Sequence, residues 1–131
     1  MSKAKTRARD TTLCPCGSHV AYDACCGQWH RGTAAPTAEA LMRSRYTAFV
    51  LQLERYLLDT WHPTTRPPTI EFVPNQKWLG LDVRDRKTTG ENSAEVEFIA
   101  RYRIGGGSAA RLHERSRFVR EDGRWFYVDA L

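Results

Sequence analysis

The chain has 131 residues, 41% of them hydrophobic and 11% aromatic, which is enough for one packed domain with a short appendage. No apolar run approaches the roughly eighteen residues of a membrane-spanning helix, and MSKAKTRARD has no apolar segment behind it, so neither a span nor a secretory leader is expected and the chain reads as cytoplasmic. A formal charge of +5 invites an acidic or nucleic-acid partner but is too small to require one.

Residues 1–11 hold Lys3, Lys5, Arg7 and Arg9 and read as a flexible basic tail. Residues 12–32 follow with Cys14-Pro15-Cys16-Gly17-Ser18, Tyr22 and Cys25-Cys26-Gly27. Four cysteines this close together, in a reducing compartment, point to a metal rather than to disulfides. Four thiolates close a tetrahedral shell around Zn²⁺ and leave no position for water or substrate, so the expected site is structural, with one zinc on Cys14, Cys16, Cys25 and Cys26. Gly17 lets the backbone bend so that the Cys-x-Cys pair converges, and Tyr22 is placed to pack over a site too small for its own core. His30 stands nearby as a substitute ligand or a bystander. Four thiolates and one Zn²⁺ change the charge by −4 + 2 = −2, so the formal +5 falls to about +3 when the metal is bound.

Residues 33–131 form the main domain. Thr37 is an expected N-cap, with Glu39 in the first turn to suit the helix dipole. Ala38, Leu41, Met42, Phe49, Leu53 and Tyr56 recur at helical spacing, which predicts one amphipathic helix to about Thr60, ended by Pro63, Pro67 and Pro68. Residues 69–77 fit either a short helix or an irregular loop. From Trp78 the period becomes two. Leu79, Leu81 and Val83 alternate with polar residues, and TTGENS makes a turn. Ala94, Val96, Phe98, Ala100, Tyr102 and Ile104 then share one face. Further strands are expected over 111–120 and 124–130, separated by Glu121-Asp122-Gly123. A long helix followed by an antiparallel meander is an α+β domain whose helix covers the apolar face.

Polar residues interrupt both apolar faces. Arg45 and Gln52 fall on the stripe of the helix that should face the sheet. Glu114 and Ser116 lie between Leu112 and Phe118 on the inner face of their strand. A buried Arg and a buried Glu are each costly alone, which predicts a bidentate Arg45–Glu114 pair. That pair is either a fold-specifying salt bridge or the edge of a polar pocket, with Tyr46 at its rim. Arg43 should reach solvent or a neighbouring loop. His113 and Glu114 are sequence neighbours on a strand and cannot act as a dyad. His62 is expected to complement the helix dipole, and Trp61, Trp78 and Trp125 to pack in the core. Arg111, Arg115 and Arg117 share the outer face with His113 as a basic stripe, with no aromatic row to mark a nucleic-acid surface.

The cysteine segment resembles the SEC-C motif. Cys14, Cys16, Cys25 and Cys26 fall at its ligand positions and Ser18 and Tyr22 match, whereas His19, Val20 and Ala21 replace its glycine and lysines. A wider resemblance covers nearly the whole chain. Leu41-Met42-Arg43-Ser44-Arg45-Tyr46, Ala48-Phe49, Thr60-Trp61-His62-Pro63 and His113-Glu114-Arg115-Ser116 are similar to the YchJ-like family, which joins a SEC-C motif to a domain of NTF2-like fold. The resemblance implies zinc, an NTF2-like cavity between helix and curved sheet, and no settled reaction. Two functions follow as expectations. The first is a binding or adaptor module whose knuckle and basic stripe face a protein, or a ribosomal or nucleic-acid partner. The second is a small-molecule binder or enzyme using a cavity lined by Arg45, Tyr46, Gln52, Glu114 and Ser116.

Overall fold

A computed structural model describes residues 12–131, and the basic tail expected over residues 1–11 lies outside the described residues. The cysteine segment opens with a small hairpin, closed by a bridge between Leu13 and Ala21 and by the Cys14 amide donating to the Val20 carbonyl at 2.8 Å. A 3₁₀ turn (Tyr22–Ala24) and the short helix α1 (Cys26–His30) complete it. Helix α2 (Ala38–Leu51) begins as expected, with the Thr37 side chain accepting from the Ala40 amide at 3.0 Å.

Helix α2 ends earlier than the periodicity predicts. Gln52 takes a left-handed conformation (φ 58°), and the Leu53 amide returns to the Ala48 carbonyl. A separate helix, α3 (Glu54–Asp59), then starts in a new direction. The break swings Gln52 into solvent, so it does not line the cavity as the single-helix register required. Leu57 instead becomes fully buried. Residues 69–75 are irregular, in accord with the loop alternative, and the Ile70 amide is held by Glu54 at 2.9 Å.

Four strands follow in the order β1 (Gln76–Gly90), β2 (Ser93–Ile104), β3 (Ala110–Glu121) and β4 (Arg124–Ala130), forming one antiparallel meander. The inner face of β2 lies opposite that of β3 in register, with Phe98 against Glu114 and Val96 against Ser116. Bulges interrupt simple alternation elsewhere. In β1 a shift between Trp78 and Gly80 turns Trp78, Leu81 and Val83 toward the core, and Leu79 drops out of the face that strict alternation assigned to it. In β4 a shift opposite Arg117 and Phe118 places Tyr127 inside beside Phe118, while Asp129 stays outside to pair with Arg117. These bulges curve the sheet around α2 and open a space between them.

Helix α2 is covered on more than one side. Leu41, Met42, Arg45 and Tyr46 are buried, and so are Ser44, Thr47 and Ala48. The knuckle covers what the pattern leaves as a polar face. The buried cysteines belong to the same apolar cluster as Leu41, Met42, Val96 and Phe118, so residues 12–32 and the α+β domain share one core.

Candidate metal centre and helix–sheet cavity

The four sulfurs of Cys14, Cys16, Cys25 and Cys26 all lie within 4.8 Å of one another. A tetrahedral ion with metal–sulfur bonds of about 2.3 Å would have sulfur–sulfur edges of about 3.8 Å. The separation of Cys16 and Cys25 is 3.7 Å, and with no pair beyond 4.8 Å the four donors are close enough to converge on one such ion. Gly17 (φ 82°) makes the expected bend, its amide donating to the Cys14 carbonyl at 3.2 Å.

Electrostatics point the same way. Hydrogen bonds from Cys14 and Cys26 hold the Cys16 thiol far below the usual range, and Cys26, sharing its proton with Cys14 and Cys16, is held far above it. Burial pushes the Cys25 thiol up as well. Without a cation the cluster keeps protons between its sulfurs, because four thiolates so close together repel one another strongly. A divalent ion removes that conflict.

Several side chains tie the centre to the domain. The Ser18 hydroxyl lies 3.0 Å from Cys25 Sγ. Thr47 Oγ1 lies 3.7 Å from Cys14 Sγ and donates to Cys26 Sγ at 3.4 Å. Arg43, on the same stripe of α2 as Thr47, donates to the Cys16 carbonyl at 2.7 Å, so the neighbouring loop that it reaches is the knuckle itself. His30 stands outside the cysteine cluster, with both ring nitrogens engaged elsewhere. Its Nε2 donates to the Ser44 carbonyl at 2.9 Å, and Nδ1 accepts from the Tyr22 hydroxyl at 2.7 Å. Burial lowers its pKa and keeps the ring neutral, as this pair of bonds requires. Thr47 escapes a reading of the sequence because a threonine on the polar side of a helix is ordinarily a solvent-facing residue.

Between α2 and the sheet lies a cavity of about 250 Å³, with Arg45, Tyr46, Trp78, Glu114, Ser116 and Tyr127 in its wall. Of the residues expected to line a cavity, Arg45, Tyr46, Glu114 and Ser116 are in its wall and Gln52 is not. The expected bidentate Arg45–Glu114 pair is absent. Arg45 Nη1 donates instead to the Leu57 carbonyl at 2.8 Å and to Thr60 Oγ1 at 2.6 Å. Its guanidinium carbon lies 5.1 Å from the ring centre of Trp61 and 4.7 Å from that of Tyr127. The reason is the break in the helix. α3 turns its last carbonyls back toward α2, and a cation suits those unpaired groups at a helix C-terminus. Burial lowers the Arg45 pKa to about 10, and the charges of Tyr127, Tyr56 and Glu114 partly oppose that shift. Glu114 Oε2 accepts from the Ser116 hydroxyl at 2.8 Å. Burial raises the Tyr46 and Tyr127 hydroxyls to about 12, so both stay protonated near neutrality.

The outer face of the sheet is not a bare basic stripe. Arg115 pairs with Glu95 at 2.6 Å and Asp85 at 3.0 Å, Arg117 with Asp129 at 2.6 Å, and His113 with Glu97 at 2.6 Å. His62 sits beyond the end of α3 and meets Glu121 at 2.8 Å rather than the helix end. Trp78 packs in the core as expected, whereas Trp61 faces Arg45 across the cavity wall.

A curved meander wrapped on α2, with a cysteine knuckle packed against the other side of that helix, defines an NTF2-like α+β protein carrying a cysteine-cluster metal site. A family model described as the middle, NTF2-like domain of YchJ matches residues 37–130, and the chain belongs to the YchJ-like family. A UPF0225 protein of Xanthomonas campestris pv. campestris is 56% identical over 122 residues, covering 92% of this chain and 95% of the relative. A UPF0225 protein of Methylibium petroleiphilum is 60% identical over 119 residues, covering 88% and 85%. Two solved structures are similar throughout. The solution structure of a SEC-C motif containing protein from Rhodopseudomonas palustris has a TM-score of 0.81 at 36% identity, covering 92% of this chain and 98% of that one. The crystal structure of a SEC-C motif containing protein from Psychrobacter arcticus has a TM-score of 0.75 at 27% identity, covering 92% and 82%. Among the described residues, no helix is long and apolar enough to cross a membrane.

Proposed function

We propose that this protein is a small-molecule-binding protein whose knuckle holds one structural zinc ion and whose ligand site is the helix–sheet cavity. The observation that carries the reading is the cavity itself: about 250 Å³, walled mainly by aromatic and aliphatic side chains with a few convergent polar groups. The all-cysteine donor set and its tetrahedral fit support zinc over harder ions, which prefer oxygen. In that role the metal neutralises the thiolates and fixes the hairpin against α2, and Cys14, Cys16, Cys25 and Cys26 leave it no open position for chemistry.

The test of the cavity is a fragment screen by NMR on the zinc-loaded protein, using neutral, anionic and cationic compounds of up to about ten heavy atoms. Shifts concentrated at Trp78, Phe98 and Tyr127 are expected. A screen in which no compound of any charge moves those resonances would overturn the reading. Metal analysis should give one zinc per chain, and well under one equivalent in protein purified without chelators would remove the knuckle from the proposal.

A second reading, the adaptor module, is favoured by Leu13 and Val20 on the knuckle hairpin, which are 60% and 43% exposed. Exposed apolar side chains on a metal-held hairpin suit a protein contact better than a nucleic-acid one. The ion pairs that neutralise Arg115 and Arg117 also argue against a nucleic-acid partner.

A further inference from the structure

Arg45 is buried to 6% exposure, yet one edge of its guanidinium is unused. Nη1 spends its hydrogens on the Leu57 carbonyl and the Thr60 hydroxyl. Among the described residues, no hydrogen bond engages Nε or Nη2, whose N–H bonds point the same way along one edge of the plane. Neither atom is sealed inside protein, because the one fully enclosed side-chain polar atom lacking a partner among the described residues is Trp125 Nε1. Arg45 is itself part of the cavity wall. Two parallel N–H donors on a cation match the two oxygens of a carboxylate. The flanking rings of Trp61 and Tyr127 fix the plane of the fork, so little side-chain freedom is left to lose on binding.

Glu114 lines the same cavity without reaching Arg45. Ser116 donates to its Oε2, and among the described residues no hydrogen bond engages Oε1. A ligand that is only an anion would bring its charge beside this carboxylate. A ligand with an ammonium group next to its carboxylate would satisfy both walls. Apart from the Tyr46 and Tyr127 hydroxyls, the rest of the lining, including Met42, Phe49, Trp78 and Phe98, is apolar. A volume of about 250 Å³ suits a single amino-acid-sized molecule with an apolar side chain.

We infer that the cavity binds an apolar amino acid, or an equally small amino carboxylate, with its carboxylate on the open Nε/Nη2 edge of Arg45 and its ammonium group on Glu114. The inference rests on the small-molecule reading of the cavity and adds the ligand class. Arg45 and Glu114 are binding residues, and no bond is made or broken.

Calorimetric titration of the zinc-loaded protein with L-phenylalanine, phenylacetate and phenethylamine tests it. These probes keep the ring and remove one charged group at a time. L-Phenylalanine should bind at one site per chain and at least about tenfold tighter than either single-charge probe. Arg45→Met should weaken L-phenylalanine by at least about tenfold, and Glu114→Gln should weaken it while leaving phenylacetate unchanged or tighter. Glu114→Gln is at a half-buried strand position and keeps the test open if Arg45→Met does not fold. Phenylacetate binding as tightly as L-phenylalanine, with no effect of Glu114→Gln, would overturn the amino-acid assignment and leave the cavity reading intact. Failure of all three probes, in a protein whose cavity resonances do respond to uncharged fragments, would also overturn it. Failure of every compound would overturn the cavity reading itself.

Discussion

Arg45 and His30 carry the residue-scale lessons, because each is a polar group in the interior whose partners come from distant chain segments. A lone buried cation is costly, and Arg45 is accommodated by a helix-terminal carbonyl, a hydroxyl and two aromatic faces rather than by a carboxylate. A double-mutant cycle should therefore find coupling where the contact is. Arg45→Met with Thr60→Val is expected to show about 1.5–3 kcal/mol, as for a hydrogen bond to a charged group. Arg45→Met with Glu114→Gln should show less than about 1 kcal/mol, and a larger value in urea unfolding would restore the direct pair. His30 links Tyr22 of the knuckle to the backbone of α2 at Ser44. His30→Phe keeps the ring against Tyr56 but leaves the Tyr22 hydroxyl and the Ser44 carbonyl without their partner. Its expected cost is about 2 kcal/mol, and thermal unfolding within experimental error of wild type would show that water replaces the imidazole at no penalty.

At the scale of elements, α2 is attached to β1 through Glu39, which accepts from Arg43 one turn along the helix and from Arg86 on the strand. Burial alone would raise the Glu39 pKa, but the hydrogen bonds from Arg86 and Arg43 outweigh it and the carboxyl ends below its ordinary value. A carboxyl with a depressed folded-state pKa contributes stability that is fully present above its unfolded-state pKa. That contribution is lost as pH falls through the folded-state value. The difference between wild type and Glu39→Gln should therefore be about 1 kcal/mol or less near neutrality. It should shrink at high salt and vanish in strong acid. Urea midpoints that differ by the same amount at neutral and strongly acidic pH would assign the effect to packing instead. The break between α2 and α3 works at this scale too. It removes Gln52 from the cavity and supplies Leu57 and Thr60 to Arg45, so one change of direction accounts for both departures from the expected lining.

For the whole molecule, the shared core would make an ion bound at the cysteine cluster a stability element of the α+β domain as well as of the knuckle. Cys14, Cys16 and Cys26 are buried in the cluster that contains Leu41 and Phe118, and Thr47 and Arg43 join α2 directly to the knuckle. An independent knuckle would come apart while the sheet persisted. The packing predicts otherwise: chelation, or Cys26→Ser, should lower the midpoint of a single unfolding transition that includes the sheet. Calorimetry showing a sheet transition at its original temperature after metal removal would re-establish two separate units.

The sequence by itself determined the class of fold, the cluster of four cysteines, the N-cap at Thr37 and the inner face of β3. Each of these depends on local spacing or on side-chain type. Cysteines this close in sequence have few other uses, and alternation along an uninterrupted strand assigns Leu112, Glu114, Ser116 and Phe118 to one side. Only the tertiary structure decided where Arg45 finds its partners, that α2 is covered on its polar side, that Leu79 leaves the inner face of β1 and that Asp129 pairs with Arg117 outside. Those outcomes depend on one left-handed residue and on bulges, whose single extra residues reverse the facing of everything beyond them. Neither leaves a periodic signal, because a helix pattern continues unbroken across Gln52 and a strand pattern across Leu79, and the energy that selects the break lies in contacts with segments far along the chain.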